Sequence, residues 1–238
     1  MRITRERVLL GNVLVVAVCA LVYELLCGTL ASYLLGNAVV QFSLVLGTYL
    51  FAMGIGAFVS KRFEPRAASR YVQAELALAL VGGLSVPLLL AGVAAHVPLR
   101  PALYFVVFLV GALVGVELPL LVKILRSGSD GEAKSDAGDE ATKQPAASFG
   151  DVVARALAYD YVGALAASVL FPLLLVPRLG LVRTSVAAGA VNAVVALSAT
   201  FVVRVERPAV VRVVGGCILA ALAVTFLRGE GWALAATD

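Results

Sequence analysis

At 238 residues the chain has the length of one or two ordinary domains, but 61% of it is hydrophobic and only 14% charged, with a mean hydropathy of +1.00. A water-soluble domain carries roughly a quarter charged residues, so this chain has too little polar surface to face water on all sides. The net charge of +4 gathers at the ends of apolar runs, with no basic patch interleaved with aromatics, which speaks against nucleic-acid binding.

The first element opens with Arg2, Arg5 and Arg7 before an apolar run, the pattern of a secretory signal. The run continues to Leu35 with no small-x-small cleavage site after it, so it reads as a retained first span. Further apolar runs follow at 42–60, 71–95, 101–125, 152–176, 180–203 and 209–227. They reach or exceed the roughly 18 residues that mark a bilayer-crossing helix, and lack the strict ten-residue alternation of barrel strands. The expected fold is therefore all-α, a polytopic membrane helix bundle of about seven transmembrane helices. Pro101 and Asp151 suit helix starts, where a missing N–H or a carboxylate is tolerated or favoured. Trp232 fits an aromatic belt just past the last span.

One stretch is not membrane. Ser127 to Ser148 is rich in Ser, Gly, Asp, Ala, Glu and Lys, the composition of a disordered linker. It divides the chain into a four-helix half (1–126), a linker (127–150) and a three-helix half (151–238) of one membrane domain. Basic residues gather on the side of the N-terminus and alternate loops, among them Arg7, Lys61, Arg62, Arg66, Arg70, Arg126, Arg204 and Arg207; Arg100, Arg178, Arg183 and Arg228 fall on the other. The positive-inside rule then places the N-terminus in the cytoplasm and the C-terminus outside, in the inner membrane.

Little material exists for metal or nucleophile chemistry. The three cysteines, Cys19, Cys27 and Cys217, lie in apolar runs without ligand spacing and read as small buried apolar residues, and the single histidine, His96, falls in a short loop; no metal, cofactor or catalytic residue is expected. Gly47, Gly54, Gly56, Gly82 and Gly83 read as packing or bending positions, because no strand-turn-helix context surrounds them. The informative residues are ionisable groups inside spans, which are costly in a bilayer and so face a bundle interior. Glu24, Glu117 and Asp160 are deep; Glu75, about a turn inside the third span, is expected to snorkel to the interface. Glu117 and Asp160 sit at matching depths, about 13 Å from the cytoplasmic ends of their helices. If the fourth and fifth helices are neighbours, they face one cavity, with Gly111, Gly115 and Gly163 allowing close approach and Pro119 freeing the Gly115 carbonyl. Two readings stand: a carboxylate-lined pocket for an organic cation, rimmed by Tyr23, Tyr49, Tyr159 and Tyr161, or structural pairs joining Glu117 to Lys123 or Arg155 and Asp160 to tyrosine hydroxyls. Glu24 has Asn37, Gln41 or Asn192 as its plausible neutral partners. Tyr23-Glu24 with Gly28 and Tyr159-Asp160 with Gly163 form a weak echo across the linker, as a parallel repeat would.

The run Tyr23-Glu24-Leu25-Leu26-Cys27-Gly28-Thr29-Leu30-Ala31-Ser32, with Gln41-Phe42-Ser43, Phe51-Ala52-Met53-Gly54-Ile55-Gly56, Gly115-Val116-Glu117-Leu118-Pro119, Tyr159-Asp160-Tyr161-Val162-Gly163 and Pro177-Arg178-Leu179-Gly180-Leu181, resembles the N-terminal membrane domain of transmembrane polyamine aminopropyltransferases, the spermidine synthase-like proteins. The resemblance covers nearly the whole chain in order. It implies a soluble Rossmann-like domain, following the membrane part, that transfers an aminopropyl group from decarboxylated S-adenosylmethionine to putrescine. This sequence stops at Asp238, where that domain would begin, so no catalytic residue carries over. The expectation is a stand-alone membrane domain or a truncated chain. As the first, it binds or moves a polyamine-like cation through Glu24, Glu117 and Asp160, in the manner of a transporter; the alternative is a membrane scaffold for a soluble aminopropyltransferase.

Overall fold

The computed structural model describes residues 2–133 and 149–235, with side chains over 7–63, 66–126 and 150–228. All regular structure among them is helical: α1 (Arg2–Leu35), α2 (Ala38–Ser60), a 3-10 turn (Lys61–Arg66), α3 (Ala67–Ala94), α4 (Leu99–Ala133), α5 (Phe149–Leu170), a π-helical turn (Phe171–Leu175), α6 (Val176–Val202) and α7 (Pro208–Ala235). Continuous apolar sequence leaves the backbone no partner but itself, and the helix satisfies every N–H and C=O internally. The breaks come where the sequence supplies turn chemistry. Gly36 and Asn37 take positive φ, and the Asn37 side chain accepts from the Val40 N–H at 3.3 Å to cap α2. His96 takes positive φ in the short α3–α4 connection. Helix α4 continues to Ala133, inside the segment expected to be a linker; the rest of that segment, 134–148, lies outside the described residues, as does the side chain of Trp232.

Six helical stretches are long and apolar enough to cross a membrane. The fifth, Gly150–Val202, holds 53 residues and would be about 80 Å long at 1.5 Å per residue, far beyond a hydrocarbon core of about 30 Å. It does not run straight: Gly180 has φ 71° and ψ 177°, a conformation essentially restricted to glycine. The chain reverses there, and the Thr184 hydroxyl donates to the Gly180 carbonyl at 2.6 Å to close the turn.

Contacts between helices fix their directions. Tyr49 donates to the Ala20 carbonyl at 3.0 Å and Gly28 meets Phe42, so α1 and α2 are antiparallel. Tyr104 donates to Gln41 at 3.1 Å, Gly111 lies against Tyr49, Gly115 against Met53 and Gly56 against Ala112; α2 and α4 therefore run parallel with backbones in close contact. Ser185 donates to the Gly83 carbonyl at 3.1 Å and the Glu206 N–H to Ser69 at 2.8 Å, making α3 and α6 antiparallel. Helix α7 returns along α6, with Arg212 bonded to Thr200 at 3.1 Å and Gly215 against Leu197. Helix α5 packs on α1 through Gly163, which lies against Leu14 and Ala17, and touches α4 far less.

Two apolar cores follow. One joins Tyr23, Leu26, Val45, Leu78, Val107 and Phe171; the other, nearer the N-terminal end, joins Leu9, Tyr71, Val72, Leu120 and Ala196. The outer surface is apolar as well: Phe58, Phe105, Leu173 and Phe201 are each at least two-thirds exposed. Water would penalise such a surface, whereas lipid would not. In lipid the hydrophobic drive between helices would vanish, and the small-residue contacts between α2 and α4 and between α3 and α6 would carry much of the cohesion.

Candidate functional site

The interior holds a polar layer between those cores. Glu75 on α3 is fully buried and Glu117 on α4 is 3% exposed. None of their four carboxylate oxygens has a hydrogen-bond partner. Three more fully buried groups share that condition: the hydroxyls of Tyr23 and Tyr71 and the carboxamide of Asn192. An unsatisfied buried polar group costs about 1–3 kcal/mol, and native interiors hold few of them. Five in one layer make it the candidate site.

Helix geometry brings the groups to one level. Glu75 lies about 12 Å along α3 from Ala67, Glu117 about 13 Å from Arg126 and Asp160 about 15 Å from Gly150. Tyr71 and Glu75 are one turn apart on the same helix face, and the phenol interacts with the carboxylate in a loose geometry short of a full hydrogen bond. On α1, Tyr23 packs flat on Gly82, where an added methyl would meet its ring at 2.7 Å. Helical side chains point back toward the N-terminus, which carries the Tyr23 hydroxyl toward Cys19; the charges of Glu117 and Glu75 both act on these two groups. Asn12 donates to Ser198 at 3.5 Å and Ser185 donates to Gly83, so Asn192 stands between those rungs of α6, level with this layer. The charges acting on Glu117 are those of Glu75 and Asp160, both acidic. Pro119 lies inside α4 and removes the N–H that would bond the Gly115 carbonyl.

The residues expected from sequence are distributed unevenly. Glu117 and Tyr23 belong to the layer. Asp160 is half-buried beside it, carried by a helix seated on α1 rather than on α4. Tyr159 and Tyr161 are 40% and 67% exposed and stand on the outer surface of α5, away from the buried carboxylates. Tyr49 is buried, but its hydroxyl is already committed to Ala20. Glu24 is half-buried and acts on Cys27 and Tyr49. Its expected neutral partners are engaged or elsewhere: Asn37 caps α2, Gln41 accepts from Tyr104, and the Asn192 amide has no partner. The proposed pairing of Glu117 with Lys123 or Arg155 is not formed, since both Glu117 oxygens are unbonded.

Two expectations are corrected. Glu75 does not snorkel: α3 presents it to α1 and α4 in the bundle interior, where it is 0% exposed. Cys217 is exposed on the outer side of α7, whereas Cys19 and Cys27 are buried as expected. The missed signal for Glu75 was the Tyr71-x-x-x-Glu75 spacing, which puts a phenol and a carboxylate on one stripe.

Among the described residues no group of three or more His, Cys, Asp or Glu could hold a metal ion. An apolar cavity of about 670 Å³ lies elsewhere, between α6 and α7, lined by residues such as Val186, Ala190, Leu219 and Phe226.

No family model matches the chain, and no solved structure matches it. Among curated proteins, the polyamine aminopropyltransferase of Leptospira interrogans is 41% identical over 200 residues, 84% of this chain and 36% of its own length. Polyamine aminopropyltransferase 2 of Ralstonia nicotianae is 44% identical over 196 residues, 82% of this chain and 35% of its own. Polyamine aminopropyltransferase 1 of Streptomyces coelicolor is 37% identical over 227 residues, 93% of this chain and 40% of its own. The chain thus spans a little over a third of the length of these relatives, and is a partial homologue of polyamine aminopropyltransferases.

Proposed function

We propose that the chain is a spermidine synthase-like integral membrane domain that binds a small organic cation, a polyamine or a similar amine, through intramembrane carboxylates. With Gly180 read as the turn between two spans, the domain has seven, its N-terminus cytoplasmic and α7 ending outside the inner membrane. The observation that carries the reading is Glu117: a buried carboxylate with both oxygens unbonded and only acidic groups acting on it. A buried carboxylate without a cation is costly, and an alkylammonium supplies the missing charge together with three N–H donors. Asp160 and the half-buried Glu24 extend the acidic surface from this layer toward the periphery, giving an amine stepping points for transport. The names of the relatives point to polyamines as the class.

The test is calorimetric titration of the protein in nanodiscs with putrescine and spermidine. Glu117→Gln is expected to weaken binding at least tenfold, with smaller losses in Asp160→Asn and Glu24→Gln. Unaltered binding in all three variants would remove the assignment. A second reading, a membrane anchor for an aminopropyltransferase catalytic part, is favoured by the fraction of the relatives that the chain spans. It predicts co-purification of a soluble aminopropyltransferase and indifference to amines.

A further inference from the structure

We infer that Glu75 and Glu117 work as a proton-exchange pair, holding a proton that is released when a primary ammonium group binds between them. The inference rests on the amine reading above and adds to it the ion exchanged and a residue, Glu75, that the amine reading leaves without a role.

The layer contains two fully buried carboxylates whose oxygens are all unbonded. The polar and titratable groups that face them are Cys19 and Tyr23 from α1, Tyr49 from α2, Tyr71 from α3 and Asp160 from α5, with the neutral Asn192 level with them on α6. None of these is a base that carries positive charge. Two buried carboxylates in such surroundings do not both stay ionised; one proton is shared between them, as in other carboxylate dyads. The unpartnered Tyr23 and Tyr71 hydroxyls and the Asn192 amide donate to whichever oxygen carries the charge.

Binding then balances without a change of net charge in the layer. The carboxylic acid O–H bond breaks, the proton leaves to water, and the resulting carboxylate accepts N–H bonds from the ammonium, which keeps its own protons. The pair carries one negative charge with the proton bound, and one with the ammonium bound and the proton gone. Exchange therefore avoids burying an additional charge, the step that would otherwise oppose amine entry into a membrane interior. Because one proton competes with one ammonium, apparent affinity rises about tenfold per pH unit while the pair holds its proton and the amine stays charged.

The experiment uses the whole chain in nanodiscs. Putrescine is titrated by calorimetry in two buffers of different ionisation enthalpy, and infrared difference spectra follow the carbonyl band of a protonated carboxylic acid. About one proton released per putrescine bound, with loss of that band, is the expected result. Glu75→Gln/Glu117→Gln should abolish both signals while keeping the wild-type helical content and elution volume, and the single Glu75→Gln change serves if the double variant misfolds, with a diminished or shifted band. Putrescine binding without proton release overturns the exchange and leaves the amine reading intact. A band that persists in the folded double variant assigns the proton elsewhere and also overturns it. Absence of putrescine binding to the wild type removes the amine reading and the exchange together.

Discussion

Two glycines on α2, two residues apart, give a prediction with its own control. Gly54 has nothing within 4 Å of where a methyl would stand, whereas a methyl on Gly56 would meet the Ala112 carbonyl group and the Val116 amide of α4. Replacing either with alanine gains about 0.5–1 kcal/mol of helix propensity. At Gly56 the obstacle is backbone, which cannot rotate aside, so the helices must part, at an overpacking cost of about 1–3 kcal/mol. The propensity gain cancels between the two variants, leaving a difference of about 2 kcal/mol against Gly56→Ala. For a chain of this size that is roughly 4–8 °C in Tm, measurable by thermal unfolding in mild detergent. Because Val116 precedes Glu117, the displaced helix should also weaken putrescine binding in Gly56→Ala and not in Gly54→Ala. Equal melting temperatures would refute the parallel, backbone-to-backbone packing of α2 and α4.

Other substitutions test other parts of the fold. Gly180→Ala should lower stability by about 1–3 kcal/mol, since no other residue takes φ 71°, ψ 177° without strain, and thermal melts would show the loss. Glu206→Ala removes an exposed ion pair to Arg66 at 3.1 Å and should cost less than about 1 kcal/mol, diminishing further in high salt. Ser69→Ala deprives the Glu206 N–H of its acceptor and should cost about 1 kcal/mol, independent of salt. Glu75→Gln should weaken putrescine binding several-fold in titration calorimetry while Arg70→Ala, on the exposed side of the same helix, leaves it unchanged.

Much of this helical architecture was legible in the sequence because its elements are long and strongly apolar. The apolar runs, the break between 176 and 180 and the inward-facing Glu117 all follow from local composition. What local composition does not contain is which helix lies beside which. Glu117 and Asp160 share a depth by counting residues, but whether they share a wall depends on α5 choosing α1, through Gly163 and Ala17, over α4. The misplacement of Glu75 has the same origin. Distance from the start of a span suggests snorkelling, while the neighbours of α3, set by Gly82 under Tyr23 and Gly83 against Gly189, turn that face inward. Tyr159 and Tyr161 flank Asp160 in sequence yet point elsewhere, because adjacent helical positions diverge by about 100°.

The parallel contact between α2 and α4 has a consequence for biogenesis. If the spans insert in chain order, the two helices would meet only after α3 and α4 had followed, and the Gly56 face of α2 would until then lack its partner. Helix α1 precedes the helices that pack on it, chiefly α2, α4, α5 and α6, yet its Cys19–Tyr23 face meets the carboxylates of later helices. In chain order, that face of α1 would complete its polar layer only once α3 and α4 had followed with Glu75 and Glu117.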